Sequence, residues 1–230
     1  MIMTSTTKPT VVLIPGLLSD RTVWEHQINT FKQYATVIVP ELMQANTAEH
    51  LIENILSQCP KQFYLVGHSM GGWLAIEMMR HYSSRVHKLC ILATSASLDS
   101  EEKIQMRKQF MQLFYTLPED KVAQYLSQFY SYKPELVPII CSMFKRNMRA
   151  FITQQEAMLT RRSCEEILPT ITVPTTVIVG ENDVEFFNSS QAIAEHIVNA
   201  KFTVLKNCGH MLSLEQPAAC TEAMLTWFCD

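Results

Sequence analysis

The stretch Phe63-Tyr64-Leu65-Val66-Gly67-His68-Ser69-Met70-Gly71-Gly72-Trp73 decides how this chain folds. It opens with an apolar run, continues through a tight glycine-bounded turn, and leads into helical periodicity over residues 73–82. A G-x-S-x-G spacing between a strand and a helix turns the chain so sharply that the Ser69 hydroxyl projects above the end of the sheet. There it meets a helix N-terminus, whose dipole favours developing negative charge. Gly67 and Gly71 keep side chains out of that crowded turn. The competing reading is a serine in an ordinary strand-to-helix connection, with no chemistry attached.

Working outward, similar apolar or β-branched runs recur at 10–14, 36–39, 88–93, 175–179 and 202–205, with helix-like segments between them. Most are apolar without alternation, as strands buried on both faces are, so the pattern predicts an α/β fold of about six mainly parallel strands flanked by helices. The second run is expected outside the first, which makes the first and third flank the switch point of the sheet. The chain closes with a helix predicted over 217–228, with Pro217 in its first turn.

The alternation breaks once. Residues 101–166 carry no strand signal, and apolar residues such as Val122, Tyr125, Leu126, Phe129 and Tyr130 recur at helical spacing. An insertion of that length in a compact domain is usually functional, so 101–166 reads as a helical cap on a core formed by 1–100 and 167–230.

The 230 residues are 47% hydrophobic and 18% charged, with a formal net charge of −3, a composition outside the disordered, collagenous and disulfide-scaffold classes. No basic field exists to gather nucleic-acid phosphates. The seven cysteines are scattered, without Cys-x-x-Cys or zinc-ligand spacing, and read as reduced thiols. With a polar, signal-free N-terminus and no apolar run near the length of a membrane span, they point to the cytoplasm.

A serine hydroxyl needs a base to take its proton. Of seven histidines, His26, His50, His81, His87 and His196 fall on polar positions and read as solvated, while His68 sits inside the turn, facing away from Ser69. His210 remains, directly after the last strand run, where α/β sites assemble. An imidazole in that role needs an orienting acid. Asp183, in Gly180-Glu181-Asn182-Asp183 after the preceding run, completes the order Ser, Asp, His. Glu181, Glu185 and Asp99 are rivals. Two backbone donors for an oxyanion are expected at Met70, after the serine, and at Leu17, after the first run.

Taken together, Ile14-Pro15-Gly16-Leu17-Leu18 with Trp24, Gly67-His68-Ser69-Met70-Gly71-Gly72, Gly180-Glu181-Asn182-Asp183, and Gly209-His210 with Glu215-Gln216-Pro217 downstream stand in one order. In this the chain resembles the α/β-hydrolase superfamily, and within it small capped carboxylesterases, including those acting on acyl-carrier methyl esters. The resemblance implies that Ser69 is nucleophile, His210 base and Asp183 its acid, with no metal or organic cofactor. Three features depart from the family pattern. Pro15-Gly16 stands where the family has His-Gly. The stretch from Pro40 to Gln44 lacks the family's glycines, and too few residues precede Thr10 for two leading antiparallel strands.

The implied activity is hydrolysis of small-molecule carboxylic esters or thioesters through an acyl-Ser69 intermediate. A slow ligand-binding receptor and an acyltransferase are the alternatives. The methionines and phenylalanines of the insertion lead us to expect a pocket for short-to-medium apolar acyl chains rather than charged ones. The insertion also holds ten of the nineteen basic residues, Lys145, Arg146, Arg149, Arg161 and Arg162 among them, against eight acids. That balance allows an acidic acyl carrier protein as partner, and solvated helix faces explain it equally well.

Overall fold

The computed structural model describes residues 8–42 and 44–230. Residues 1–7, part of the polar N-terminus, and Met43, inside the stretch from Pro40 to Gln44, lie outside the described residues. The strands are β1 (Thr10–Ile14), β2 (Thr36–Ile38), β3 (Phe63–His68), β4 (Val86–Leu92), β5 (Thr175–Gly180) and β6 (Lys201–Leu205). The helices are α1 (Glu25–Phe31), α2 (Ala48–Ser57), α3 (Met70–Tyr82), α4 (Glu101–Thr116), α5 (Glu119–Tyr130), α6 (Val137–Asn147), α7 (Phe151–Leu159), α8 (Phe187–His196), α9 (Leu212–Glu215) and α10 (Pro217–Cys229).

All six strands pair in parallel, in the order β2-β1-β3-β4-β5-β6. The chain therefore starts inside the sheet, steps outward to β2, and returns past β1 to build the other side. The crevice beyond the C-terminal ends of β1 and β3 is the point where the winding reverses, the place where open α/β sheets bind ligands. β5 is buried throughout and β1 nearly so, as runs without polar alternation predict, whereas the edge strands β2 and β6 are largely half-exposed or exposed.

Several boundaries shift by one to three residues from the sequence reading, and two of the shifts have a clear cause. β4 begins two residues early, at Val86, because it extends along β3 to pair with Phe63. α3 begins at Met70, directly after the serine, although Gly71-Gly72 reads as turn in the sequence. The reason is close approach. A methyl group on Gly71 would run into the carbonyl oxygens of Ile14 and Pro15, so the first turn of α3 packs against the end of β1 only without a Cβ.

Between β4 and β5 the chain forms α4 to α7, with 3-10 turns ahead of α6 and α7 and without a strand. Ser100 caps α4 by accepting from the Lys103 N–H, and Glu101 and Glu102 sit favourably in its first turn. The ring of Phe110 on α4 packs edge-on against those of Tyr125 and Phe129 on α5. Among the described residues no helix is long and apolar enough to cross a membrane.

Candidate active site

Ser69 stands between β3 and α3 with φ 55° and ψ −118°, a strained conformation for a non-glycine residue. The surrounding structure holds it there. Its N–H donates to the Leu92 carbonyl at 2.9 Å, and its own carbonyl accepts from Thr94 Oγ1 at 2.7 Å and from the Trp73 N–H at 3.0 Å. Gly67 gives room for the turn, since a Cβ there would strike the Gly71 carbonyl.

The loops after β5 and β6 bring the other two residues to this turn. The Asn182 N–H donates to Cys208 O at 2.8 Å, which ties the two loops together. His210 Nε2 lies 3.0 Å from Ser69 Oγ, and His210 Nδ1 lies 2.9 Å from Asp183 Oδ2. A carboxylate only accepts, so Nδ1 carries the proton and the Nε2 lone pair faces the serine hydroxyl. The other Asp183 oxygen accepts from the Phe186 N–H at 3.2 Å. The rivals are engaged elsewhere: Glu181 pairs with Lys206, Glu185 with Lys103, and Asp99 with Arg107 and Arg161.

Burial works to raise the Asp183 carboxyl, but the neighbouring His210 charge, their hydrogen bond and the Phe186 N–H outweigh it and hold the carboxyl below its ordinary value. For His210 burial works downward, and the Asp183 charge and hydrogen bond overcome it, so the imidazole sits above its ordinary value. A base must be neutral to accept a proton. Any reaction in which His210 accepts the Ser69 proton is therefore expected to speed up with pH, with a midpoint above the ~6.5 of an unperturbed histidine. A pH profile of kcat/KM, measured where chemistry limits the rate, checks the sign.

His68 has a role that its sequence position did not reveal. It is buried, and its Nε2 donates to the His210 carbonyl oxygen at 2.8 Å, with the two rings 5.0 Å apart. Burial, then the His210 charge, depress it to about 3, so it stays neutral and acts as a strut beneath the His210 loop. The five other histidines are exposed. Phe186 stacks on the His210 ring at 4.8 Å, and Tyr130 lies over it at 5.6 Å.

Glu215 holds the same loop by its backbone. Its buried carboxylate accepts from the N–H groups of Gly209 and Met211, which flank His210, and of Tyr132 in the insertion, while Lys133 Nζ donates to its carbonyl at 2.5 Å. Glu215→Ala strands buried donors, each costing about 1–3 kcal/mol. We expect a melting temperature lower by several degrees and a loss in kcat larger than the change in KM, read by thermal melts and steady-state kinetics.

Leu17 and Met70 border the same narrow void as Ser69, and neither N–H donates to a protein acceptor among the described residues. The turn carrying Leu17 is pinned next door, where the Leu18 N–H donates to Gln154 Oε1 at 3.0 Å from α7. Two small voids of about 10 and 20 Å³ meet Ser69, whereas a wider cavity of about 550 Å³ reaches His210 and Asp183 without touching the serine. Tyr130 borders all three and divides them.

The wall beside Ser69 is not apolar throughout, as the insertion's methionines and phenylalanines led us to expect. Met158 and Phe144 do border the small voids, but so do Arg107 and Arg161. The basic surplus of the insertion is also partly spent within the chain: Arg146 pairs with Asp20, Arg161 with Asp99 and Arg162 with Glu49, leaving Lys145 and Arg149 exposed.

Among known proteins, the human (Homo sapiens) monoacylglycerol lipase ABHD6 is 27% identical over 203 residues, covering 79% of this chain and 59% of its own length. The pimeloyl-[acyl-carrier protein] methyl ester esterase of Vibrio vulnificus is 27% identical over 103 residues, 41% of this chain and 40% of that one. The chain thus spans about three fifths or less of these two relatives. Among solved structures, a thermophilic esterase from Thermogutta terrifontis superposes with a TM-score of 0.87 at 25% identity, over 96% of this chain and 90% of the other. A family model matches residues 11–223, nearly the whole parallel sheet and every residue of the site, and on that match the chain belongs to the alpha/beta hydrolase family.

Proposed function

We propose that the protein is a serine hydrolase that cleaves small-molecule carboxylic esters or thioesters through an acyl-Ser69 intermediate. The observation that carries this reading is one hydrogen-bonded line, from Ser69 Oγ to His210 Nε2 at 3.0 Å and from His210 Nδ1 to Asp183 at 2.9 Å. His210 takes the serine proton as Oγ adds to the ester carbonyl. The N–H groups of Leu17 and Met70 receive the oxyanion, at the N-terminus of α3. His210 then returns the proton to the leaving alcohol or thiol, which departs past Tyr130 toward the wider cavity. A water activated by the same imidazole releases the acid.

In this reading residues 101–166 act as a cap that sets the acyl side, on a core of 1–100 and 167–230. The body of a short-to-medium acyl chain lies against Leu17, Met70 and Met158. A small ester suits the site better than a carrier protein, because five of the ten basic residues that suggested an acidic partner, Lys103, Arg107, Arg146, Arg161 and Arg162, are held in ion pairs.

The test is a pre-steady-state assay with 4-nitrophenyl esters. We expect a burst of about one nitrophenolate per active site and an acyl mass increment on the peptide containing Ser69. Turnover with the acyl group on another residue, or no turnover of any ester or thioester, would overturn the reading.

A further inference from the structure

Two arginines of the insertion are buried beside the serine. The side chains of Arg107 and Arg161 are 6% and 5% exposed, and both border the narrow void that Ser69, Leu17 and Met70 also border. They converge on a single carboxylate: Arg107 Nε donates to Asp99 Oδ2 at 2.5 Å, and Arg161 Nη2 to Asp99 Oδ1 at 2.8 Å. Arg107 Nη1 also reaches Gln155 Oε1 at 3.1 Å, and Arg161 Nη2 the Ser97 carbonyl at 2.5 Å. Glu185, the other acid on this wall, lies 2.9 Å from Lys103, which stands 3.8 Å from Asp99. On the wall of the void itself the charged side chains are Arg107, Arg161 and Glu185, so two guanidiniums face one carboxylate there.

The donors are not used up either. Arg161 Nε and Gln155 Nε2 are buried without a hydrogen-bond partner. Buried donors are nearly always satisfied, and a buried charge is costly unless it is paired. One arginine on Asp99 would suffice to tie α4 to the segment after β4. The second arginine lies over the Trp73 ring at 5.8 Å and borders the void beside the nucleophile with its Nε unpartnered, which is more than such a strut requires.

We propose that Arg107 and Arg161 form a carboxylate-binding subsite, and that the ester cleaved at Ser69 carries a free carboxylate at the far end of its acyl chain. The substrate class is then the monoester or monothioester of a dicarboxylic acid. This rests on the reading of Ser69 as the acylated nucleophile. A guanidinium fork matches a carboxylate in shape and charge, and such charge-assisted hydrogen bonds are the strong ones. The methylenes between the two ends lie along Met158, whose flexible side chain must shift, because a void of about 20 Å³ holds little more than one water.

The test compares esters of equal length: mono-4-nitrophenyl adipate with 4-nitrophenyl hexanoate, and the hemiglutarate with the pentanoate. The native protein is expected to prefer the charged member of a pair at least tenfold in kcat/KM. The ratio should fall to near one in Arg161→Gln and to an intermediate value in Arg161→Lys, which keeps the charge and loses the fork. Thermal melts and phosphonate labelling of Ser69 show that each variant is folded. If Arg107→Gln fails to fold, the Arg161 pair carries the comparison. A second readout needs no turnover: calorimetry on Ser69→Ala should detect monomethyl adipate, and much weaker binding once Arg161→Gln is added. If the hexanoate is hydrolysed and Ser69 labels, but neither charged ester is preferred, the subsite is wrong and the esterase reading stands. If no ester is turned over and Ser69 does not label, the esterase reading fails, and this inference with it.

Discussion

Ser69→Ala is expected to lower ester turnover roughly 10⁴- to 10⁶-fold while leaving the protein folded. The size follows from what the hydroxyl does in the proposed reaction. Without Oγ no acyl-enzyme forms, and His210 can only promote direct attack by water, with the Leu17 and Met70 donors and the bound substrate supplying what catalysis remains. The fold should tolerate the change. The hydroxyl has one hydrogen bond among the described residues, to His210 Nε2 at 3.0 Å, and losing it costs about 1 kcal/mol. The strained backbone at φ 55° is held by Leu92, Thr94 and Trp73 through main-chain atoms that alanine keeps. The measurement is a pair of curves, phosphonate labelling and thermal melting, on native and variant protein. Labelling that survives the substitution would mean that the nucleophile lies elsewhere.

Asp183→Asn should cost roughly 10³- to 10⁴-fold in kcat, with almost no change in shape. The side chain keeps an oxygen for the Phe186 N–H, which now donates to Oδ1 at 3.2 Å, and that bond turns the new amide nitrogen toward His210. A donor then faces Nδ1. The imidazole must accept there, its proton moves to Nε2, and Nε2 can no longer take the proton of Ser69. The pH dependence should respond as well. The Asp183 charge is what lifts His210 above its ordinary value against burial. With the charge gone, the remaining activity should rise at a lower pH than in the native protein. An unchanged midpoint together with a small loss of rate would show that Asp183 does not orient the base.

Much of this architecture is legible in the chain because the signals are local. The runs at 10–14, 63–66 and 175–179 are apolar or β-branched without alternation, as strands covered on both faces are, and β1, β3 and β5 lie inside the sheet. Ser69, Asp183 and His210 each follow a strand run within a few residues, so a parallel sheet carries all three to one edge. The insertion was legible as helices but not as a wall. By periodicity Arg107 falls on the apolar face of α4 with Ile104, Phe110, Met111 and Phe114, but nothing in that spacing shows that Asp99 and Gln155 are there to bind it. What His68 and Glu215 hold was hidden for a related reason: their partners are backbone atoms of the His210 loop, more than a hundred residues away for His68.

The sequence by itself determined the class of fold, the placement of the first three strands, the sharp turn at Ser69 and the short set of residues able to supply a base and an acid, because each depends on residue type and spacing along a few neighbours. Only the tertiary structure decided which acid reaches His210, which rivals are bound elsewhere, and that Arg107 and Arg161 border the void beside Ser69. Those outcomes depend on which side chains long-range packing brings within about 3 Å of one another, and hydrogen bonds and buried charge act only over such distances.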